Sequence, residues 1–265
     1  AINYLSGRGI PVLDETFDIN SLPIGLLPPK EAYSQYGIAH ADKVHEFMND
    51  WLDDNLVVFR GALVFFYYSS PTEYSGFRIR YEFLNPKVWK EKQIRSIGVK
   101  GDAPGFFGLG CFIGQFGNKH SKTDAIVVEG EFDLLSQYVN YLINGIGYDP
   151  ILCTNGGGTS NLDVVSNFGV KNLYLCLDNH NVDKSARALV KGILKSTSLR
   201  CNVFSWGFRE KDPASVIETN GWELWIDSIV KVDNKGARVN FESACTFLLE
   251  EFRESVKIPV EDPRD

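Results

Sequence analysis

The chain has 265 residues, of which 44% are hydrophobic and 13% aromatic, and its net charge is −7. This composition is typical of a folded globular protein with enough apolar material for one large domain or two small ones. No apolar run approaches the roughly 18 residues that span a bilayer, and the N-terminus lacks the pattern of a secretory leader, so we expect no membrane association. Because the chain begins at Ala1 without Met, we interpret it as a fragment or a processed product.

The five cysteines, at positions 111, 153, 176, 201 and 245, form no Cys-x-x-Cys pair. This spacing argues against a zinc cluster and against a disulfide framework. Cys153, Cys176 and Cys201 lie in or beside apolar runs, where cysteine behaves as a small apolar residue. The pattern favours a reducing cytoplasm as the compartment.

Residues 1–122 are irregular and rich in aromatic residues, Gly and Pro, and we expect an N-terminal α+β subdomain there. Apolar spacing predicts a helix over Asp42–Leu52. Strands are predicted over Leu56–Tyr68 and Phe77–Phe83, and a loop-rich stretch over Leu84–Phe116.

Positive charge is concentrated between residues 76 and 122, which hold nine Lys or Arg but only three acids. In a chain of net negative charge, such an excess fits either a nucleic-acid-binding surface or an ordinary solvated basic face. The basic residues singled out as candidate contacts to nucleic acid or nucleotide are Arg78, Arg80, Lys87, Lys90, Lys92, Arg95 and Lys100.

Residues 123–212 alternate between short apolar runs and amphipathic segments, which indicates βαβ units and a parallel sheet. The predicted elements are a strand in AIVVEG (125–130), a helix in FDLLSQYVNYLI (132–143), a strand in DPILC (149–153), a short helix over Asn161–Phe168, a strand over Lys171–Leu177, a helix over Asp183–Ser196 and a strand over Cys201–Ser205. Residues 213–265 follow as a small helical segment, with a helix predicted around Phe241–Phe252.

Two acids fall at the ends of these strands, where ligands bind in open parallel sheets. Glu129 ends the first strand and Asp178 ends the third. Buried charge is costly and neighbouring carboxylates repel, so a hard cation is one resolution. Oxygen ligands suit Mg²⁺ or Mn²⁺. Alternatively, each acid only caps the helix that follows it.

Other residues near these strand ends in the sequence are weaker candidates for the same site. Asp133, in the first turn of the helix, either caps it or reaches back to the site. Gly156, Gly157 and Gly158 form either a phosphate-binding turn or a tight connection. His180 is either a metal ligand or a loop residue that forms hydrogen bonds. Asp212, in Lys-Asp-Pro, either approaches the same sheet edge or forms a plain turn before a helix.

The order of VVEGEFD, LCLDNHN and KDP resembles the TOPRIM domain of DnaG-type primases. AINYLSGRGI resembles the segment that opens the RNA polymerase domain of these primases, and GFRIRYEFL followed by GDAPGFFGL resembles their basic subdomain. The resemblance covers nearly the whole chain. The Leu-Asp-Asn form of the second motif and the Gly-rich turn before it are more similar to T4-like phage primases than to the bacterial enzyme.

The resemblance implies an α/β fold with a TOPRIM parallel-sheet core over 123–212, preceded by the basic subdomain. It implies catalytic roles for Glu129, Asp178 and Asp212, and a divalent metal, Mg²⁺ or Mn²⁺, held by Glu129 and Asp178 with His180 beside them. His180 stands where the family has a second acid, and imidazole suits Mg²⁺ poorly. The basic residues would contact template and nucleoside triphosphates.

Three functions follow as hypotheses. The first is RNA primer synthesis on a single-stranded DNA template from nucleoside triphosphates, with a replicative helicase as partner, in the cytoplasm of a bacterial or phage-infected cell. The second is a degenerate primase domain that binds single-stranded DNA or a helicase without catalysis, which His180 motivates. The third is a TOPRIM nuclease.

Overall fold

The computed structural model describes residues 2–15, 24–26, 63–70, 73–80, 96–98, 106–109, 123–144, 151–153, 162–181 and 185–255. The predicted helix over Asp42–Leu52, the basic residues from Lys87 to Lys100 and the glycine turn 156–158 lie outside these residues. None of the helices in these ranges could span a lipid bilayer.

The described strands form one ten-stranded sheet. They are β1 (Ile24–Leu26), β2 (Leu63–Ser70), β3 (Glu73–Arg80), β4 (Ser96–Gly98), β5 (Phe106–Phe107), β6 (Asp124–Val128), β7 (Ile151–Cys153), β8 (Asn172–Cys176), β9 (Arg200–Phe204) and β10 (Phe241–Ser243). Their spatial order is β10-β9-β8-β6-β7-β5-β2-β3-β4, and β1 pairs with β2.

The centre of the sheet is parallel and its flanks are antiparallel. β6 pairs in parallel with both β7 and β8, and β8 pairs in parallel with β9. β2, β3 and β4 pair antiparallel, and β5 joins them to β7. The predicted α/β class is therefore confirmed, and the sheet continues across the predicted boundary at residue 122, although the boundaries themselves stay predictions.

Helices cover both faces of the parallel strands. The described α-helices are α1 (Ile2–Ser6), α2 (Glu131–Asn144), α3 (Ser185–Ser196), α4 (Pro213–Asn220), α5 (Trp222–Val230) and α6 (Ala244–Ser255), and a 3₁₀ helix covers Leu162–Phe168. Apolar residues of α2, α4 and α5 pack with Ile126 and Val128 on one face. Those of α3, α6 and the 3₁₀ helix pack with Ala125 and Val127 on the other. Successive residues of β6 thus point to opposite faces of the sheet, as expected for a strand that is buried on both faces.

Several sequence predictions need correction at their ends. Phe241 to Ser243 is a strand that pairs antiparallel with β9, and the helix predicted from Phe241 begins only at Ala244. The stretch predicted to be loop-rich contains β4 and β5. Phe106 and Phe107 are 2% and 0% exposed and belong to the core. Their partners come from distant segments, which a local pattern does not reveal.

Gly108 allows the N-terminal part of the sheet to approach the parallel part closely. Its φ is +94°, and a Cβ there would lie 2.5 Å from Leu134 Cδ1 and 2.9 Å from the Ile151 carbonyl oxygen. Only glycine combines this backbone conformation with such a contact at little cost. The residue therefore fixes how β5 meets β7 and α2.

Candidate functional site at the carboxyl ends of the parallel strands

Glu129 and Asp178 lie just beyond the ends of neighbouring strands. Val128, the last residue of β6, is in register with Cys176, the last residue of β8. Neighbouring strands are about 4.8 Å apart, so both acids belong to the same sheet edge. Glu129 is half-buried and Asp178 is 8% exposed. The edge predicted from the sequence is therefore present, while the chemical roles of the two acids stay predictions.

The segment 208–211 is hydrogen-bonded to the loop that carries Asp178. The Asn179 side-chain amide donates to the carbonyl oxygens of Phe208 and Glu210, at 3.2 and 3.0 Å. The Asn179 backbone N–H donates to the Lys211 carbonyl oxygen at 2.6 Å. These bonds hold the segment 208–211 beside the β8 loop, and they bring Lys211 and Asp212 to the sheet edge. Sequence reasoning assigned no role to Asn179.

Lys211 forms an ion pair with Asp178, with 2.8 Å between Nζ and Oδ2. The lysine side chain is 53% exposed, so water screens much of this attraction. The pair nevertheless places a cation on one carboxylate oxygen of a predicted metal ligand. A divalent ion that binds this oxygen competes with the ammonium group.

Asp212 is the N-cap of α4. Its Oδ1 accepts hydrogen bonds from the Ser215 backbone N–H at 2.8 Å and from the Ser215 hydroxyl at 2.6 Å. Pro213 follows at the first position of the helix, where its missing N–H costs nothing. The turn-and-helix alternative considered for Asp212 is thus present in the structure, and its catalytic role stays a prediction.

Asp133, in the first turn of α2, is buried against these loops. Its Oδ2 accepts from the Gly130 backbone N–H at 3.0 Å, and its Oδ1 accepts from the Ala214 backbone N–H at 3.1 Å. Burial, followed by the charges of Asp212 and Asp178, raises the pKa of Asp133 well above its ordinary value. Three aspartates therefore interact at one edge of the sheet, and Asp133 joins α2 to the start of α4.

The His180 ring packs against an aromatic side chain of the core. Its ring meets the Phe247 ring edge to face, with 4.8 Å between centroids, and Phe247 belongs to the core on the α3 and α6 face. Among the residues that the structure describes, no group of three or more His, Cys, Asp or Glu could hold a metal ion. Glu129, Asp178 and His180 are therefore not recorded as such a group among the described residues, and their metal roles stay predictions.

The residues at the site nevertheless fit a metal that needs few protein ligands. Mg²⁺ commonly uses one or two carboxylates and takes its other oxygens from water and substrate phosphates. Asp178 and Asp212 are close enough to the buried Asp133 to raise its pKa, so a cation at this edge would lie among acidic side chains. Glu129 and Asp178 stay the predicted ligands of such an ion.

Arg78 and Arg80 engage a buried acid that the sequence did not single out. Glu131, in the first turn of α2, is 0% exposed. Its Oε1 accepts from Arg78 Nη1 at 3.2 Å and from the Tyr67 hydroxyl at 2.7 Å, and its Oε2 accepts from Arg80 Nη2 at 2.7 Å. The two arginine side chains keep 28% and 16% of their exposure.

In the cluster of Tyr67, Arg78, Arg80 and Glu131, burial and the neighbouring charges determine which side chains are ionised. Burial acts to raise the pKa of Glu131, but the Arg80 and Arg78 guanidiniums outweigh it and hold the pKa below its ordinary value. Burial and then the Glu131 carboxylate raise the pKa of Tyr67 well above its ordinary value. Glu131 is therefore an anion and Tyr67 a neutral donor at pH 7.

A sequence signal for this cluster existed. Arg78 and Arg80 are two residues apart on one strand and so share a face. Their cross-strand partners Phe65 and Leu63 belong to the core that α2 covers. Two arginines on a covered face require an anion, and Glu131 begins the covering helix.

The comparisons with known proteins agree with this architecture. No protein-family model matches the chain, and no curated protein matches it. The crystal structure of the Aquifex aeolicus primase zinc-binding and RNA polymerase domains is 18% identical, with a TM-score of 0.58; the match covers 96% of this chain and 59% of that one. The RNA polymerase domain of Mycobacterium tuberculosis primase DnaG is 14% identical, with a TM-score of 0.54, over 99% of this chain and 86% of that one.

A third match is weaker. It is to a structure of bacteriophage T7 lagging-strand DNA polymerase interacting with primase domains, at 14% identity and a TM-score of 0.38, over 76% of this chain and 88% of that one. At that score the match carries no argument. The two bacterial matches are too distant in sequence to assign activity, but they agree over almost the whole chain. The chain has the fold of DnaG-type primase RNA polymerase domains.

Proposed function

We propose that the protein is a primase-type nucleotidyltransferase of the TOPRIM kind, similar to T4-like phage primases, and that it joins ribonucleotides on a single-stranded DNA template. The observation that carries the proposal is the placement of Glu129 and Asp178 at the ends of adjacent parallel strands in a fold shared with primase RNA polymerase domains. The substrates are nucleoside triphosphates, and a replicative helicase is the proposed partner in the cytoplasm.

In this proposal, a 3′-hydroxyl attacks the α-phosphate of the incoming nucleotide and pyrophosphate leaves. Glu129 and Asp178 would hold Mg²⁺ or Mn²⁺, and such an ion would supply positive charge beside the reacting phosphates. The protein contributes mainly position and charge. Asn179 keeps the Asp178 loop against the segment 208–211, and Asp133 ties α2 to the Asp212 turn. The basic residues bind the negatively charged template and triphosphates.

The test is primer synthesis from labelled ribonucleoside triphosphates on single-stranded DNA with Mg²⁺ or Mn²⁺. We expect product from the wild type and at least a hundredfold less from Glu129→Gln, because the variant loses a charged metal ligand at nearly the same size. The matched control is Glu223→Gln, which removes an exposed carboxylate from the first turn of α5. Product that persists in Glu129→Gln at the wild-type rate contradicts the mechanism.

A non-catalytic domain that binds single-stranded DNA is the second candidate, and two observations favour it. His180 stands where the family has an acid and packs on Phe247, and the Lys211 ammonium forms an ion pair with Asp178. This candidate predicts salt-sensitive DNA binding that needs no metal, together with no product under any condition. Metal-dependent cleavage of DNA without nucleoside triphosphates would instead indicate a nuclease.

A further inference from the structure

We infer that Cys201 and Cys245 are an oxidisable pair of thiols, which a peroxide converts to a disulfide that links β9 to α6. The pair lies on the face of the sheet that α3 and α6 cover, and its chemistry is independent of the proposed function. Both residues are free thiols in the structure. The bond is therefore a reversible response to an oxidant and not part of a structural disulfide framework.

The pairing of β10 with β9 brings the two cysteines together. Asn202 lies directly opposite Ser243 in this antiparallel pair. One step further along each strand places Cys201 opposite Ala244, and Cys245 is the next residue in the chain. Opposite Cα atoms are about 4.5–5.5 Å apart, and those two residues further along are about 7–8 Å apart. The Cα atoms of the two cysteines should thus be about 5.5–7 Å apart, which overlaps the usual range for disulfides.

The first turn of α6 continues directly from the end of β10. Ser243 is the last residue of β10, and its hydroxyl oxygen accepts a hydrogen bond from the Thr246 backbone N–H at 3.1 Å. This bond caps the helix and fixes the direction in which it leaves the strand. The Cα–Cβ bonds of a helix tilt toward its N-terminus, so the side chains of this first turn lean back toward the strand ends.

The two thiols differ in their access to solvent. Cys245 is exposed, whereas Cys153, Cys176 and Cys201 are buried. Cys201 is 5% exposed and belongs to the same apolar cluster as Ala244, the neighbour of Cys245 in the chain. An oxidant in solution therefore meets Cys245 first, and the buried sulfur of Cys201 is next to the oxidised product.

The electrostatic environment of Cys201 agrees with this geometry. Burial, followed by the negative charges of Cys245 and Asp163, raises the pKa of Cys201 to about 11. Because the interaction between charges weakens with distance, the effect of Cys245 means that the two sulfurs are near each other. Cys201 is also a neutral thiol at pH 7, so it is protected from direct oxidation and reacts as the second thiol.

The reaction with hydrogen peroxide has two steps. The Cys245 thiolate attacks one peroxide oxygen, an S–O bond forms, the O–O bond breaks, and the departing hydroxide takes a proton from solvent to become water. The Cys201 sulfur then attacks the sulfur of this sulfenic acid. The S–S bond forms, the S–O bond breaks, and the departing hydroxide takes the Cys201 proton. Two thiols are oxidised, one peroxide is reduced and water is the only other product.

The bond would act on a helix that contacts the candidate site. Phe247 lies two residues after Cys245 in α6 and belongs to the same apolar cluster as Cys201. Its ring meets the His180 ring, with 4.8 Å between centroids. A disulfide from Cys245 to β9 therefore restrains the turn of α6 against which His180 packs. Amide hydrogens in this turn should exchange more slowly after oxidation.

The test is oxidation of the full reduced chain with a small excess of hydrogen peroxide, followed by peptide mapping with mass spectrometry. We expect one cross-linked peptide pair that contains Cys201 and Cys245, with the loss of two hydrogen atoms, and reversal by dithiothreitol. The bond closes a long loop, so we expect Tm to rise by about 5–10 °C in the oxidised protein. Sulfinic or sulfonic acid at Cys245 with a free Cys201 thiol overturns the inference, and so does a cross-link between two chains.

Three variants complete the design. Cys245→Ser changes an exposed side chain and should abolish both the cross-link and the rise in Tm. Cys201→Ala should leave Cys245 as a sulfenic acid that dimedone traps, because the second thiol is missing. Cys111→Ser is the matched control and should form the same bond as the wild type. A cross-link that survives in Cys245→Ser, or one that is lost in Cys111→Ser, contradicts the assignment of the pair.

Discussion

The charge of Glu131 should make a pH-dependent contribution to the stability of the protein, and Glu131→Gln should remove it. Breaking a buried pair by removing one partner costs about 3–5 kcal/mol. Gln keeps the side-chain volume and one acceptor, and the arginines retain partial exposure of 28% and 16%. We therefore expect the free energy of unfolding at pH 7 to fall by about 2–3 kcal/mol.

The pH dependence follows from the direction of the pKa shift. The pKa of Glu131 is lowered in the folded protein from its ordinary value of 4.5. The stability that its charge contributes is fully present above the unfolded pKa and is lost as the pH falls through the folded pKa. The difference between wild type and Glu131→Gln should be constant from about pH 8 to 5.5 and shrink below about 4.5.

Urea denaturation at several pH values, followed by tryptophan fluorescence, measures this difference. Trp225 is fully buried, so its emission should report unfolding. The control Glu223→Gln concerns an exposed carboxylate and should change the free energy of unfolding by less than about 0.5 kcal/mol. The reasoning is refuted if Glu131→Gln costs less than about 0.5 kcal/mol at pH 7, or if its cost stays the same down to about pH 3.

Three other changes test the surrounding structure. Gly108→Ala should destabilise the fold by about 2–4 kcal/mol in the same assay, because its φ is +94° and its Cβ would lie 2.5 Å from Leu134 Cδ1. Asp212→Ala should cost about 1 kcal/mol through loss of the N-cap, whereas Asp212→Asn should keep the cap and the stability. Lys211→Met should bind Mn²⁺ about twofold to fivefold more tightly, measured by the shift in Tm with Mn²⁺ concentration, because the ammonium no longer competes for Asp178.

Each of these has a clear contrary outcome. Wild-type stability for Gly108→Ala would mean that β5 does not approach α2 as closely as described. Equal stability losses for Asp212→Ala and Asp212→Asn would show that charge, and not capping, holds that turn. Unchanged Mn²⁺ affinity in Lys211→Met would argue against Asp178 as a ligand.

Within the parallel core, the local sequence pattern predicted the strands and helices well, because strands that are buried on both faces are almost entirely apolar. AIVV predicted β6 and the spacing in FDLLSQYVNYLI predicted α2, and both lie within a residue or two of the structure. Cys153, Cys176 and Cys201 are buried, as the apolar runs around them predicted. Elements whose pairing partners are distant in the chain were harder to predict from the sequence. One example is β10, whose three residues carry no strand signal of their own and which forms by pairing with β9.

The amino-acid sequence by itself determined the α/β class, the order of the elements from β6 to β9 and the two acids that follow β6 and β8. It did so because the period of hydrophobic residues and the acid that ends a buried strand are local properties. Tertiary structure alone decided which charges meet. It pairs Lys211 with Asp178, and Arg78 and Arg80 with Glu131. It also packs His180 against Phe247. These contacts depend on distances between segments that are far apart in the chain.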